Sequence, residues 1–398
     1  MKVAGIVAEY NPFHLGHSYH LSETVKSDIT HTIAVMSGNY VQRADTAILN
    51  KFDRAAVAVR CGIDLVLELP TIWSTASAER FAMGSVSIFE ALNCVDFLSF
   101  GSESGDIELL KKTADSIDDS RVVKRTKQLT EMGDNYPLAR MKALEVFYPE
   151  LAKVVTSPNN ILAIEYIKAL RATSKRIVPM TIKRTGASYH SDEITDGIAS
   201  ASKIRELIIN RGAFGRLVPR ESEISLLDAT ISNKISGGLK AIESAILMTL
   251  RDKDRDYFSL IPDSTGGLGD RIYNAVGNAT SLEDLYGKVK TKRYTMSRVK
   301  RGVLTSFLGI TEKDYTSVPY IRILAIGPKG EELLSKIKKS SNLPISHSLL
   351  DIKNLRGISE QLALKESRFT DIFNLTLTKI APKGEEYTNK LFTFSSKS

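Results

Sequence analysis

Four short apolar, β-rich runs punctuate the first hundred residues: VAGIVA (3–8), HTIAVMS (31–37), DLVLEL (64–69) and VDFLSF (95–100). Each is followed by a breaking residue, at Asn11-Pro12, Gly38, Pro70 and Gly101. Between them lie TAILNKFDRAAVAVRCG (46–62) and SAERFAMGSVSIFEALN (77–93), whose apolar residues recur at the spacing of a helix with one buried face. Near-continuous apolar strands leave no face of a sheet for water. The pattern therefore predicts a parallel sheet with helices on both sides, a Rossmann-like, doubly wound α/β fold. The more charged stretch 102–150 reads as a helical insertion or cover, and IVPMTIKR (177–184) as another strand. DGIASASKIRELIINRG (196–212) closes the α/β part, with Ser200 and Ser202 placed to cap a helix and Gly212 to end it.

Beyond Leu217 helical patterns dominate, interrupted by one strand-turn-helix pattern, YIRILAIGPKGEELLSKIKKS (320–340). The expected organisation is an α/β domain over residues 1–216 and a mostly helical part over 217–398. Most of the formal charge of +8 belongs to the second part, where residues 221–398 carry 27 Lys plus Arg against 21 Asp plus Glu. That half leans towards a polyanion. Cys61 and Cys94 sit in apolar segments and read as small buried side chains, not as a disulfide or zinc ligands. The first residues lack a leader-like apolar run and no twenty-residue apolar span occurs, so the expected location is the cytoplasm, with no membrane partner. The oligomeric state is not legible in the sequence.

Four of the six histidines, His14, His17, His20 and His31, fall within the first 31 residues, three of them in NPFHLGHSYHL (11–21). That segment follows a strand and opens a helix. His14 and His17, three apart around Gly16, can face one point at the helix N-terminus, where backbone N–H groups and the macrodipole already favour an anion. Two imidazoles aimed there suit a phosphate on which charge builds during displacement. Zinc would need a third ligand, for which His20 is the nearby candidate.

HLGH (14–17) resembles the HxGH signature of the nucleotidyltransferase superfamily, and IASASKIREL (198–207) is similar to its second, serine-rich basic signature. Further, GIVAEYNPFHLGHSYHL, MSGNYVQRADTAILNKFDRAAVA, DLVLELP, FGSESGD, SPNNILAIEYIKAL and IKRTGASYHS together resemble the bacterial tRNA(Met) cytidine acetate ligases. The resemblance implies an enzyme that activates acetate with ATP and transfers the acetyl group to N4 of the wobble cytidine, position 34, of elongator tRNA(Met). It implies an ATP site made of Val7, Ala8, Glu9, Tyr10, Asn11, Pro12, Phe13, His14, Leu15, Gly16, His17, Ser18, Tyr19 and His20, with Gly101, Asn159 and Arg184. His14 and His17 would be the catalytic pair, and either Lys203 or Arg205 would hold the pyrophosphate, with Mg2+ on the phosphate oxygens and no metal held by the protein alone. Either Asn159 or its neighbour Asn160 would face the nucleotide, the other capping the helix.

The segment KVKTKRYTMSRVKR (288–301) carries seven basic residues and no acidic one: Lys288, Lys290, Lys292, Arg293, Arg298, Lys300 and Arg301. Such density suits a phosphate backbone, and Tyr294 in its middle is expected to offer a stacking face to an unpaired base. Gln42, Arg43 and Lys51, in the polar stretch after the second strand, read equally as ligand contacts or as solvated side chains. Two other functions remain compatible with the residues: an adenylyltransferase acting on a small phosphate ester, and an RNA-binding protein that keeps a nucleotide fold without turnover.

Overall fold

The computed structural model describes residues 1–173, 176–184, 199–264 and 266–394. Part of one motif, Thr185 to Ser191, and Ile198 of another lie outside the described residues. Strands β1 (Val3–Ala8), β2 (His31–Ser37), β3 (Leu65–Leu69), β4 (Phe97–Ser102) and β5 (Val178–Lys183) run parallel in the order β3-β2-β1-β4-β5. This is the doubly wound order, and its reversal beside β1 opens a crevice at the carboxyl ends of the strands. Side chains alternate between two cores. Val3, Ile33 and Val35 point to the face covered by α3 (Ala78–Leu92) and α4 (Pro158–Thr173), whereas Ile6, Ala34 and Met36 meet α1 (Leu15–Lys26) and α2 (Lys51–Arg60). Gly5 permits the close packing of α3, since a Cβ there would lie 2.7 Å from the Phe89 ring.

The charged stretch after β4 forms three helices, Ile107–Ile117, Ser120–Glu131 and Tyr136–Phe147. Helix α2 starts later than its apolar pattern, at Lys51, because Asp45–Thr46 pairs antiparallel with Tyr40–Val41 and Asn50 then caps the helix by accepting the Asp53 N–H at 2.8 Å. Beyond α5 (Ala201–Ile209) the chain is helical and includes α6 (Met296–Leu308) and α7 (Gly357–Asn374). It then returns to the sheet. Strand β6 (Ile321–Ile326), wholly buried, pairs antiparallel with β3, and β7 (Ile345–Ser346) and β8 (Phe392–Thr393) pair with β6.

A buried ion network ties this return to the sheet. Lys51 pairs with Glu68 and Glu386, and Arg322 of β6 pairs with Glu386 and, at 3.6 Å, with Glu68. Glu366 of α7 accepts the Thr71 N–H at 2.6 Å and its hydroxyl at 2.8 Å. Each of these groups is countered by an opposite charge or hydrogen-bonded, the condition for burying it at tolerable cost. Among the described residues no helix is long and apolar enough to cross a membrane.

Candidate active site

The chain leaves β1 through Tyr10, whose φ of 44° lies in the left-handed region, and a cis Asn11–Pro12 bond, then enters α1 with His14 as its N-cap. Two buried anchors fix this turn. Asn11 accepts the Ile48 N–H at 2.8 Å through its side chain, and Arg54, 2% exposed, donates to the carbonyls of Glu9, Ser37, Gly38 and Leu49. One guanidinium thus binds the ends of β1 and β2 together.

The imidazoles complete a capping box built from histidines. His14 Nδ1 accepts the Gly16 N–H at 3.0 Å, and His17 Nδ1 accepts the His14 N–H at 3.2 Å. The rings stack with centroids 3.9 Å apart. A nitrogen that accepts carries no proton, so each neutral ring must bear its proton on Nε2 and present an N–H donor. The rings stay neutral well below neutral pH: burial, helped by Arg184 and Arg205, pushes His14 down to about 3, and burial and Arg184 push His20 down to about 4. His17 is lowered too, by burial and then by its histidine and arginine neighbours. His20 Nε2 lies 3.0 Å from Ser99 Oγ and is engaged with the sheet. Among the described residues no three His, Cys, Asp or Glu side chains are grouped to hold a metal ion.

A cavity of about 520 Å3 opens at the crevice. Of the residues singled out in the sequence, Val7, Ala8, Glu9, Tyr10, Asn11, His14, Gly16, His17, Tyr19, His20, Gly101, Asn159, Arg184, Arg205 and Lys300 line it, as do Gln42 and Arg43. Pro12 and Phe13 are buried beneath the turn, while Leu15 and Ser18 lie on α1 away from the cavity wall. Arg205, on the first turns of α5, donates to the Asn11 carbonyl at 2.7 Å, whereas Lys203 pairs with Glu206 at 3.1 Å and is not on the wall. Asn159 is on the wall. Asn160 is buried, its Oδ1 accepting the Ser104 N–H at 3.1 Å.

The profile of the HIGH nucleotidyl transferase family matches residues 1–388. A tRNA(Met) cytidine acetate ligase of Thermoanaerobacter sp. (strain X514) is 36% identical over 98% of this chain and 99% of its own, and one of Clostridium tetani is 38% identical over 88% and 91%. Crystal structures of Thermotoga maritima TmcAL, apo and bound with alpha-thio ATP, superpose with TM-scores of 0.91 and 0.90 at 30% and 29% identity, each over 99% of this chain and 100% of that one. The chain belongs to the tRNA(Met) cytidine acetate ligase family.

Within this family frame, several side chains differ from their sequence reading. Tyr294 is 2% exposed and its hydroxyl donates to the Gly266 carbonyl, so its ring packs in the helical core and offers no stacking face. Lys51 is 1% exposed in the ion network and touches neither the cavity nor solvent. In the basic segment, Lys292 and Arg293 are exposed; Lys288 pairs with Asp284, and Lys290 donates to the Thr291 and Tyr294 carbonyls. Arg298 and Arg301 are half-buried, Arg298 donating to the Asp263 carbonyl at 2.7 Å. The apolar wall formed by Phe81, Phe100, Leu162 and Tyr166 had only ordinary helix and strand periodicity to announce it, as did Met296 and Ser297, which also line the cavity. Arg54 carried no signal, because its partners are backbone carbonyls.

Proposed function

We propose that this chain activates acetate with ATP and transfers the acetyl group to N4 of the wobble cytidine of elongator tRNA(Met), in the cytoplasm. In the first step an acetate oxygen bonds to the α-phosphorus of ATP, the bond to the bridging oxygen breaks, and pyrophosphate leaves. The Nε2–H groups of His14 and His17 donate to the α-phosphate oxygens as charge concentrates on them, beside the N-terminus of α1. Arg205 and Arg184 face the departing pyrophosphate. In the second step the cytidine N4 bonds to the acetyl carbon, AMP leaves, and the amine gives up a proton. Adenylation is needed because acetate has no leaving group for a weak amine nucleophile to displace.

Residues 1–216 would carry this chemistry and residues 217–398 would hold the tRNA. Of the carboxylates on the wall, Glu9 accepts the Gln42 N–H at 2.9 Å and Asp45 the Thr46 and Leu239 N–H groups. So few protein oxygens would suit a Mg2+ held mainly by the phosphates, with Glu9 or Asp45 as the carboxylate that would contact it. That ion, when bound, spreads the phosphate charge.

The observation that carries the reading is the paired, tautomer-fixed imidazole donors on the cavity wall; membership of the family supports the choice of acetate and tRNA. The test is acetate-dependent exchange of labelled pyrophosphate into ATP, with and without tRNA, by wild type and His17→Ala. Exchange that requires acetate and His17 is the expected result. ATP turnover without acetate, or none with every substrate present, would refute it.

A further inference from the structure

Asn159 stands at the second position of α4, and the carboxylate behind it comes from another element. Glu103, in the loop after β4, accepts the Asn159 N–H at 3.2 Å and the Asn160 N–H at 2.8 Å, two of the donors that the start of a helix leaves without partners. The same Oε1 accepts Asn159 Nδ2 at 2.7 Å. Gly105 shapes this loop: its φ is +64°, and a Cβ there would lie 2.6 Å from the Lys183 Cβ. Glu103 itself is not on the cavity wall, whereas Asn159 is.

An ionised carboxylate only accepts, so the amide must turn its NH2 towards Glu103. Its carbonyl oxygen then lies on the other side, and no donor among the described residues bonds it. We propose that Glu103 is a positioning residue that fixes the Asn159 amide so that Oδ1 faces the cavity as an acceptor for an N–H or O–H donor of the nucleoside. This rests on the reading that the cavity takes ATP. The donors adenosine can offer are its amino group and its ribose hydroxyls. A site committed to accepting rejects an analogue that lacks the donor, because a desolvated acceptor is left unpaired.

The experiment is calorimetric affinity for ATP, 2′-deoxy-ATP, 3′-deoxy-ATP and purine riboside triphosphate, with wild type, Asn159→Ala, Glu103→Ala and Glu103→Gln, each checked for folding by thermal melt. Wild type should bind one analogue about ten-fold or more weakly than ATP, and which one identifies the donor. In Asn159→Ala and Glu103→Ala that preference should collapse, ATP weakening to the analogue's level while the analogue itself changes little. Glu103→Gln, which keeps one acceptor oxygen, should retain part of it. If Glu103 serves only as a helix cap, its variants would weaken ATP and analogues alike and keep the preference, which overturns the proposal. Equal wild-type affinity for all four nucleotides also overturns it while leaving ATP binding intact. Folded wild type that binds none of them would instead remove the ATP reading itself.

Discussion

His14 and His17 are held as neutral rings with the proton on Nε2 because two features agree: each Nδ1 is occupied by a backbone N–H, and burial opposes a charge on the ring, helped at His14 by Arg184 and Arg205 and at His17 by His14, Arg184 and His20. Removing the His17 donor by substitution with Ala should lower exchange by about 10²–10³-fold, the scale set by loss of one oxyanion donor. The pyrophosphate-exchange rate should show no imidazole inflection between pH 5 and 8, since His14 titrates near 3. Stability carries the opposite signature. The unfolded chain protonates these rings below its ordinary histidine value while the folded chain does not, so it binds more protons there. Stability contributed by these rings is therefore present above about pH 6.5 and lost as pH falls towards 3 to 4. Melting temperatures from pH 7 to 4 should fall more steeply for wild type than for a His14→Gln, His17→Gln double variant. The histidine cluster was legible in sequence; the tautomer was not, because it depends on which nitrogen meets which N–H.

At the scale of elements, the apolar runs located β1 to β5 within two residues; β1 to β4 are largely buried on both faces and leave a nearly unbroken hydrophobic signal, whereas β5, at the sheet edge, is only partly buried. The second basic signature was legible only as a pair. Helical spacing separates Lys203 and Arg205 by some 200° around α5, so one of them at most can face the sheet crevice. Arg205 does, held against the Asn11 carbonyl. Arg205→Ala should therefore reduce pyrophosphate exchange by about 10²-fold, while Lys203→Ala, which loses a surface pair with Glu206, should change it less than about two-fold. The joint between β1 and β2 gives a separate test. Arg54→Met leaves four carbonyls without their donor, at about 1–3 kcal/mol for each one that water cannot reach. Urea denaturation should register a large loss of stability, and any protein that remains folded should bind ATP more weakly because the turn at Tyr10 loosens.

For the whole molecule, periodicity revealed the strand at 320–326 but not its neighbour, since pairing with β3 is settled by long-range contacts such as Arg322 with Glu68 of β3. Burial, and then Glu68, raise Glu366 in that joint to about 8. The folded chain keeps a proton there that the unfolded chain releases near 4.5, so the contribution to stability is full below that value and is lost as pH rises through about 8. Urea midpoints should decline from pH 6 to 9, and Glu366→Gln should flatten the decline. The basic helical half also reaches the cavity, where Lys300 stands on the wall while Lys292 and Arg293 remain in solvent. These positions should separate in function. Reversing Lys292 and Arg293 to Glu should weaken tRNA binding and reduce the slope of log affinity against log salt by about one for each phosphate no longer neutralised, without changing acetate-dependent exchange measured in the absence of tRNA. Lys300→Glu should impair both, because its charge lies on the cavity wall. Filter binding across a salt series, run beside the exchange assay, distinguishes the two patterns; abolished tRNA-free exchange in the Lys292, Arg293 variant would mean that the basic surface and the catalytic cavity cannot be separated.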